Sequence, residues 1–281
     1  MRSLSLLKNS HKNEAAVFIG TGPSIKQFDL SKIDRSKYKL FSMNWWYPYG
    51  PQFFGFDVDY YINADPNIFP GYFPNFYNSD YIIKKGRKRD PLSFLTQKEK
   101  NRIIEKKLSK IKKHCSPSEW VLEQNCKSKI ILIRLDIKKI VNQYKKTKSD
   151  IFFAKRKVST KIKLYEEENN DVFFNGQVIS GFLCYVIPII KYLGFSKMII
   201  MGIDVSNTGY FFCDLSDVFR QYKKNASRSK HKIFIRDLNR TVNMCGNDLD
   251  IYEISNKLHQ NYLSGSCLLK KRMNFNDLVK K

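Results

Sequence analysis

Gly20, Thr21, Gly22, Pro23 and Ser24 follow directly on an apolar run at 16–19, and their types are those of a phosphate-binding turn. Glycine lets backbone approach a ligand closely, and a helix starting at Pro23 would aim its first N–H groups at an anion. The third glycine of the dinucleotide fingerprint is missing, and the segment is not a GxxxxGK[ST] P-loop. A structural tight turn is therefore an equal reading of the same residues. Asn44 and Asn63 stand just after apolar runs at 39–43 and 59–62. An amide that donates and accepts suits a base, a ribose or a sugar hydroxyl, although asparagine also serves as a plain turn residue. His231 opens a helical pattern, where the positive end of the helix dipole favours the neutral imidazole that a general base needs. The other reading is an exposed histidine among Ser229, Lys230 and Lys232. Tyr210, in the polar and aromatic stretch before it, can donate a hydrogen bond to a departing phosphate, and 15 other tyrosines have the same chemistry.

For these residues to meet, the runs that carry them must be strands of one sheet. Apolar runs predict strands at 16–19, 39–43, 59–62, 130–133, 197–201 and 249–254. Helical patterning covers 95–111, 182–193 and 231 to near Gly246. Strands alternating with helices predict an α/β fold, a mostly parallel, doubly wound sheet with helices on both faces. Ligands of such sheets bind at the carboxyl ends of the strands, where Gly20, Asn44 and Asn63 stand. The expected organisation is a polar leader at 1–14, a single domain at 15–264 and a basic tail at 265–281. Within the domain, 84–164 reads as a basic insertion and 205–231 as a lid over the crevice. There are no internal repeats.

The chain has 281 residues and carries 50 Lys and Arg against 26 Asp and Glu, a net charge of +24. Between 84 and 163 there are 26 basic and 7 acidic residues, most of the excess. A basic face attracts an anionic bilayer or nucleic acid, and lysine is also common surface filler. No RNP aromatic pattern, GXXG loop or zinc finger supports nucleic acid. The six cysteines are scattered without a CxxC pair, which predicts reduced, buried thiols and no metal site. No stretch reaches the roughly 18 apolar residues of a spanning helix. The first eight residues are too short and polar for a secretory signal. These features predict a cytoplasmic protein, free or at the membrane surface.

Taken together, the motifs resemble the bacterial sialyltransferases of glycosyltransferase family 42, which transfer sialic acid from CMP-sialic acid to lipooligosaccharide. The matching elements are the turn Gly20 to Ser24 after the first strand, Asn44 after the second and Asn63 after the third. Ser180-Gly181 opening an apolar helix, Gly202-Ile203-Asp204 ending a strand, and His231 before the last helix and strand complete the pattern, over residues 15–256. The resemblance implies a modified Rossmann, GT-A-like domain and an inverting transfer that needs no metal and no cofactor beyond the CMP-sugar donor. It implies a donor site lined by Gly20, Thr21, Gly22, Ser24, Asn44, Asn63, Ser180, Gly181, Asp204 and Ser206. It implies His231 as the base that deprotonates the acceptor hydroxyl and Tyr210 as a donor to the CMP phosphate. The partners it implies are a glycan or glycolipid acceptor and further copies of the chain in an oligomer; the basic excess adds an anionic membrane, at the inner face of the cytoplasmic membrane, and nucleic acid is not among the expected partners.

The chain departs from the family pattern at three places. Thr21 stands where the family has Asn, Ser206 where it has a second phosphate-binding Tyr, and Gln177, a candidate on the acceptor side, where it has Arg. Sialic acid, Kdo and other nonulosonic acids are all admissible donor sugars. Two other classes remain open on the residues alone. One is a Mg-dependent pyrophosphokinase-like transferase with the same Gly-x-Gly-Pro-Ser crevice; the other is a basic nucleic-acid-binding protein without activity.

Overall fold

Short apolar runs with side chains alternating between two faces build the observed sheet. The computed structural model describes residues 2–43, 46–47, 49–63, 127–134, 150–157, 163–166, 172–175, 183–203, 209–211, 213–214, 227–245, 248–254, 267 and 271–280. In chain order the strands are β1 (Arg2–Ser3), β2 (Ala15–Ile19), β3 (Tyr38–Met43), β4 (Tyr60–Asn63), β5 (Lys129–Arg134), β6 (Ile151–Lys157), β7 (Lys163–Glu166) and β8 (Val172–Asn175). They continue with β9 (Lys197–Met201), β10 (Gly209–Tyr210), β11 (Cys213–Asp214) and β12 (Asp250–Glu253). The α-helices among the described residues are α1 (Tyr49–Phe54), α2 (Leu183–Tyr192) and α3 (Ser227–Cys245). Strand order is β12-β9-β2-β3-β4-β5-β6-β8-β7, with β1 also on β6 and β10–β11 a separate ribbon. Neighbours run parallel except β7 against β8. This is the α/β, Rossmann-like, doubly wound sheet the sequence predicts.

Alternation divides the core in two. Ala16, Phe18, Phe41, Ile62, Ile131, Met198 and Ile200 pack with α2 and α3 on the helix face. Val17, Ile19, Leu40, Tyr61, Ile130, Ile199 and Met201 pack with Ile25, Trp46, Tyr47, Tyr49 and Phe211 on the aromatic face. Strands covered on both sides must be apolar at nearly every position, which is why these runs are continuous rather than alternating in hydropathy.

Both ends of the chain correct the expected boundaries. Residues 2–14 are not a detached leader. β1 pairs with β6, Leu4 and Leu7 are buried, and the Asn9 and His11 N–H groups donate to the Tyr192 and Leu193 carbonyls. His11 stacks on Phe195, hydrogen-bonds Tyr60 and lies 3.1 Å from the Glu14 carboxylate. The tail at 271–280 is equally tied down. Arg272 pairs with the buried Glu253, Leu278 is buried, and Phe275 packs on Phe28 with ring centroids 4.9 Å apart. Its helical content is a single 3-10 turn, Phe275–Leu278. The domain thus includes segments outside 15–264.

The basic segment 84–164 is no simple insertion either. It supplies β5 and β6, interior strands of the sheet, because 130–133 and 151–154 are apolar on both faces. The helix predicted at 95–111 lies outside the described residues. Cys184 and Cys245 are free and buried, and burial pushes their thiols up to about 12 and about 11. Both are held as unreactive neutral thiols.

Candidate functional site

The chain steps from β2 through β3, β4 and β5 to β6 in one direction, then returns through α2 to β9 on the other side of β2. The order therefore reverses between β2 and β9. Connections after β2 and β3 lie on the aromatic face, whereas α2 and α3, flanking β9, lie on the helix face. In open α/β sheets this reversal, at the carboxyl ends of the strands, is where ligands bind.

The turn after β2 stands at that point. The Gly20 N–H donates to the Met201 carbonyl at 2.8 Å and the Gly22 N–H to the Gly202 carbonyl at 2.9 Å. A Cβ on Gly20 would lie 2.3 Å from the Gly202 carbonyl oxygen. Gly202 itself has φ +73, in the left-handed region that favours glycine. These glycines are therefore required for two strand ends to touch. Their amides are engaged, which corrects the expectation that the N–H groups of Gly20 and Gly22 cradle a phosphate. The helix expected at Pro23 is a 3-10 turn, Pro23–Gln27, with proline at its first position and no side-chain cap. Five residues carry little dipole, and Ser24 is buried, so the turn shapes the crevice more than it charges it.

Asn63 is the last residue of β4 and only 1% exposed. Alternation places it on the aromatic face with Tyr61. Ser42, which the sequence reading did not single out, is buried on β3 opposite Tyr61 and donates from Oγ to the Ile19 carbonyl at 2.6 Å. The registered β2–β3 pairing ends at Phe18 opposite Phe41, so this hydroxyl holds the end of β2 beyond the ladder. Asn44, Gln177, Ser180, Gly181, Asp204 and Ser206 lie outside the described residues.

Of the lid predicted at 205–231, the described residues form a two-stranded ribbon, with Gly209 opposite Asp214 and Tyr210 opposite Cys213, and the start of α3 at 227–231. The tip of the ribbon reaches the turn: the Phe211 N–H donates to the Thr21 carbonyl at 3.0 Å. Tyr210 is thereby brought by its backbone to the switch point. His231 is the fifth residue of α3 rather than its opening residue, since the helix begins at Ser227. The helix-end field falls off within the first turn, so it reaches position 231 less than the sequence reading expected.

Ile235, Leu238, Val242 and Cys245 form the stripe by which α3 packs on the helix face. At the far end of α3, the Lys191 ammonium lies 2.6 Å from the Cys245 carbonyl, close to where β9 starts. A 19-residue helix spans about 28 Å, longer than the strands beneath it. Its front therefore reaches the carboxyl-end side of the sheet, the side of the crevice. Among the described residues no three His, Cys, Asp or Glu side chains are grouped to hold a metal ion.

No protein-family model matches the chain, and no curated protein matches it. Among solved structures, the chain is similar to the sialyltransferase CstII from Campylobacter jejuni in complex with a substrate analogue, CMP-3FNeuAc. That match has a TM-score of 0.39 and 11% sequence identity, and it covers 95% of this chain and 89% of that chain.

Proposed function

We propose that the chain is an inverting glycosyltransferase that moves sialic acid, or a related 2-keto acid sugar, from a CMP donor to a glycan hydroxyl. The observation that carries this reading is convergence at the switch point. The turn at Gly20–Ser24, Asn63, the end of β9 at Gly202, the ribbon bearing Tyr210 and the front of α3 bearing His231 all gather on the carboxyl-end side of the sheet. Thr21 and Asn63 contact the nucleotide, with Asn44, Ser180, Gly181, Asp204 and Ser206 completing its pocket. Gly20, Gly22 and Ser24 line it by shape. Gln177 faces the acceptor.

In the reaction an imidazole nitrogen of His231 takes the acceptor hydroxyl proton. The acceptor oxygen bonds to the anomeric carbon on one face while the bond to the CMP phosphate breaks on the other, which inverts that centre. The Tyr210 hydroxyl donates to the departing phosphate, balancing its charge where a metal would otherwise do so. The test is a thermal-shift and turnover screen of CMP-sialic acid, CMP-Kdo, UDP-sugars and ATP with and without EDTA. CMP-sugars are expected to stabilise the protein and be consumed at a rate EDTA leaves unchanged. Stabilisation by ATP with Mg²⁺ alone would instead favour a pyrophosphokinase-like transferase.

The acceptor is a lipooligosaccharide or similar glycolipid, reached at the inner face of the cytoplasmic membrane. The charge of +24 supports this placement, since each basic group near an anionic surface contributes about 1 kcal/mol. No described helix is long and apolar enough to cross a membrane. Flotation with anionic vesicles at low salt is expected to recover the protein, and salt to release it. Equal recovery on neutral vesicles would remove the electrostatic account.

A further inference from the structure

We propose that Phe211 is a positioning residue. Its ring, seated in an aromatic socket, fixes the ribbon at 209–214, and with it Tyr210, against the switch-point turn. The inference rests on the reading of Tyr210 as the hydrogen-bond donor to the leaving phosphate.

A two-residue connection between paired strands ordinarily carries Asn, Asp or Gly, because its tip points into water and its backbone is tight. Here Tyr210 pairs with Cys213, and the residue that follows Tyr210 at the tip is Phe211. A two-strand ribbon has little stability of its own. Something outside it must hold it, and the geometry shows what does.

Phe211 is fully buried. Its ring centroid lies 5.2 Å from Phe54, 5.5 Å from Phe53 in an edge-to-face arrangement, and 5.9 Å from Trp46. The floor of the socket is stiff. Trp46 is fully buried, stacks on Phe54 and fills the space beside Gly50, where a Cβ would come within 2.2 Å of the indole. A second attachment is polar, the hydrogen bond from the Phe211 N–H to the Thr21 carbonyl. One residue is thus held to α1 by its ring and to the turn by its backbone. Tyr210 directly precedes it, so its Cα cannot move far from Thr21 while both attachments hold.

The test compares Phe211→Ala, Phe211→Leu and Tyr210→Phe with the unmodified full chain. It reads peptide-level amide hydrogen exchange over 209–214, CMP affinity, and transfer kinetics with the CMP-sugar. In Phe211→Ala, exchange of the ribbon is expected to rise by about tenfold or more, since its local opening no longer has to empty the socket. Its kcat is expected to fall by about tenfold or more while CMP affinity stays within about threefold, because the lost contact acts on the leaving group in the transition state. Phe211→Leu still fills most of the socket and is expected to restore both readouts.

Unchanged exchange in Phe211→Ala overturns the anchor. Raised exchange with unchanged kcat, when Tyr210→Phe does lose turnover, overturns the positioning role. If Tyr210→Phe turns over like the unmodified chain while exchange still rises in Phe211→Ala, the reading of Tyr210 fails and the anchor stands. Should Phe211→Ala not fold, Phe53→Ala removes one wall of the socket at a residue already 46% exposed, and the same outcomes decide.

Discussion

His231→Ala is expected to lower sugar transfer by about 10²–10⁴-fold while CMP binding stays nearly unchanged. The reason lies in the division of the site. On the proposed reading the nucleotide lies in the crevice between the ends of β2, β3, β4 and β9, and position 231 belongs to a separate element, near the start of α3. Removing the imidazole removes the group that takes the acceptor proton and leaves the pocket for CMP intact. The variant is expected to fold, with an effect on stability well below that of truncating Leu238, which is fully buried. Steady-state transfer kinetics and a CMP titration on the same sample check both halves. A variant that kept most of its turnover would remove His231 from the chemistry.

The second large effect is expected at Gly20. A Cβ there would meet the Gly202 carbonyl oxygen at 2.3 Å and its carbonyl carbon at 2.8 Å, both backbone atoms that cannot rotate away. Gly20→Ala must push β2 and β9 apart, losing the bonds from Gly20 and Gly22 to Met201 and Gly202. Overpacking and two lost hydrogen bonds together are expected to cost about 3 kcal/mol or more. The displacement passes to Thr21, which carries the attachment of Phe211, so CMP binding should weaken as well. Gly55→Ala is the control. Its φ is +75, but nothing lies within 4 Å of the added carbon, and the cost is expected to be about 1 kcal/mol with no effect on CMP. Urea denaturation of the two variants separates the cases, and equal stability would contradict the stitched strand ends.

Much of this architecture was legible in the chain because fully buried parallel strands advertise themselves as continuous apolar runs. Lys197–Met201 matches the expected strand residue for residue, and β2, β3, β4, β5 and β12 differ from expectation by one or two residues at their ends. β6 (Ile151–Lys157) is not legible in the chain because its second half is Lys155-Arg156-Lys157, charged residues that break the apolar run. β7 and β8 fall in an acidic, polar stretch with no clear alternation.

The packing of the leader was not legible for a different reason. Leu4 and Leu7 look like two leucines in a polar segment until the end of α2, some 185 residues later, offers carbonyls to Asn9 and His11. The same applies to the site. Strand-end residues such as Asn63 can be picked out from pattern, because a polar residue closing an apolar run is visible. Ser42 and Phe211 cannot. One is a buried serine whose partner is the Ile19 carbonyl, the other a phenylalanine among 21, and each acquires meaning only from a neighbour distant in sequence. The glycine turn shows the limit from the other side. Its sequence admits a phosphate cradle and a tight junction alike, and the bonds to β9 decide for the junction.

The most direct measurement is the footprint of CMP on the backbone, read by amide hydrogen exchange or by chemical-shift changes. Protection confined to 20–24, the end of β4 at Asn63, 202–203 and the ribbon at 209–211 is the expected result. Saturable CMP binding that leaves those amides untouched, or no CMP binding at any accessible concentration, would contradict a nucleotide-sugar site at the switch point.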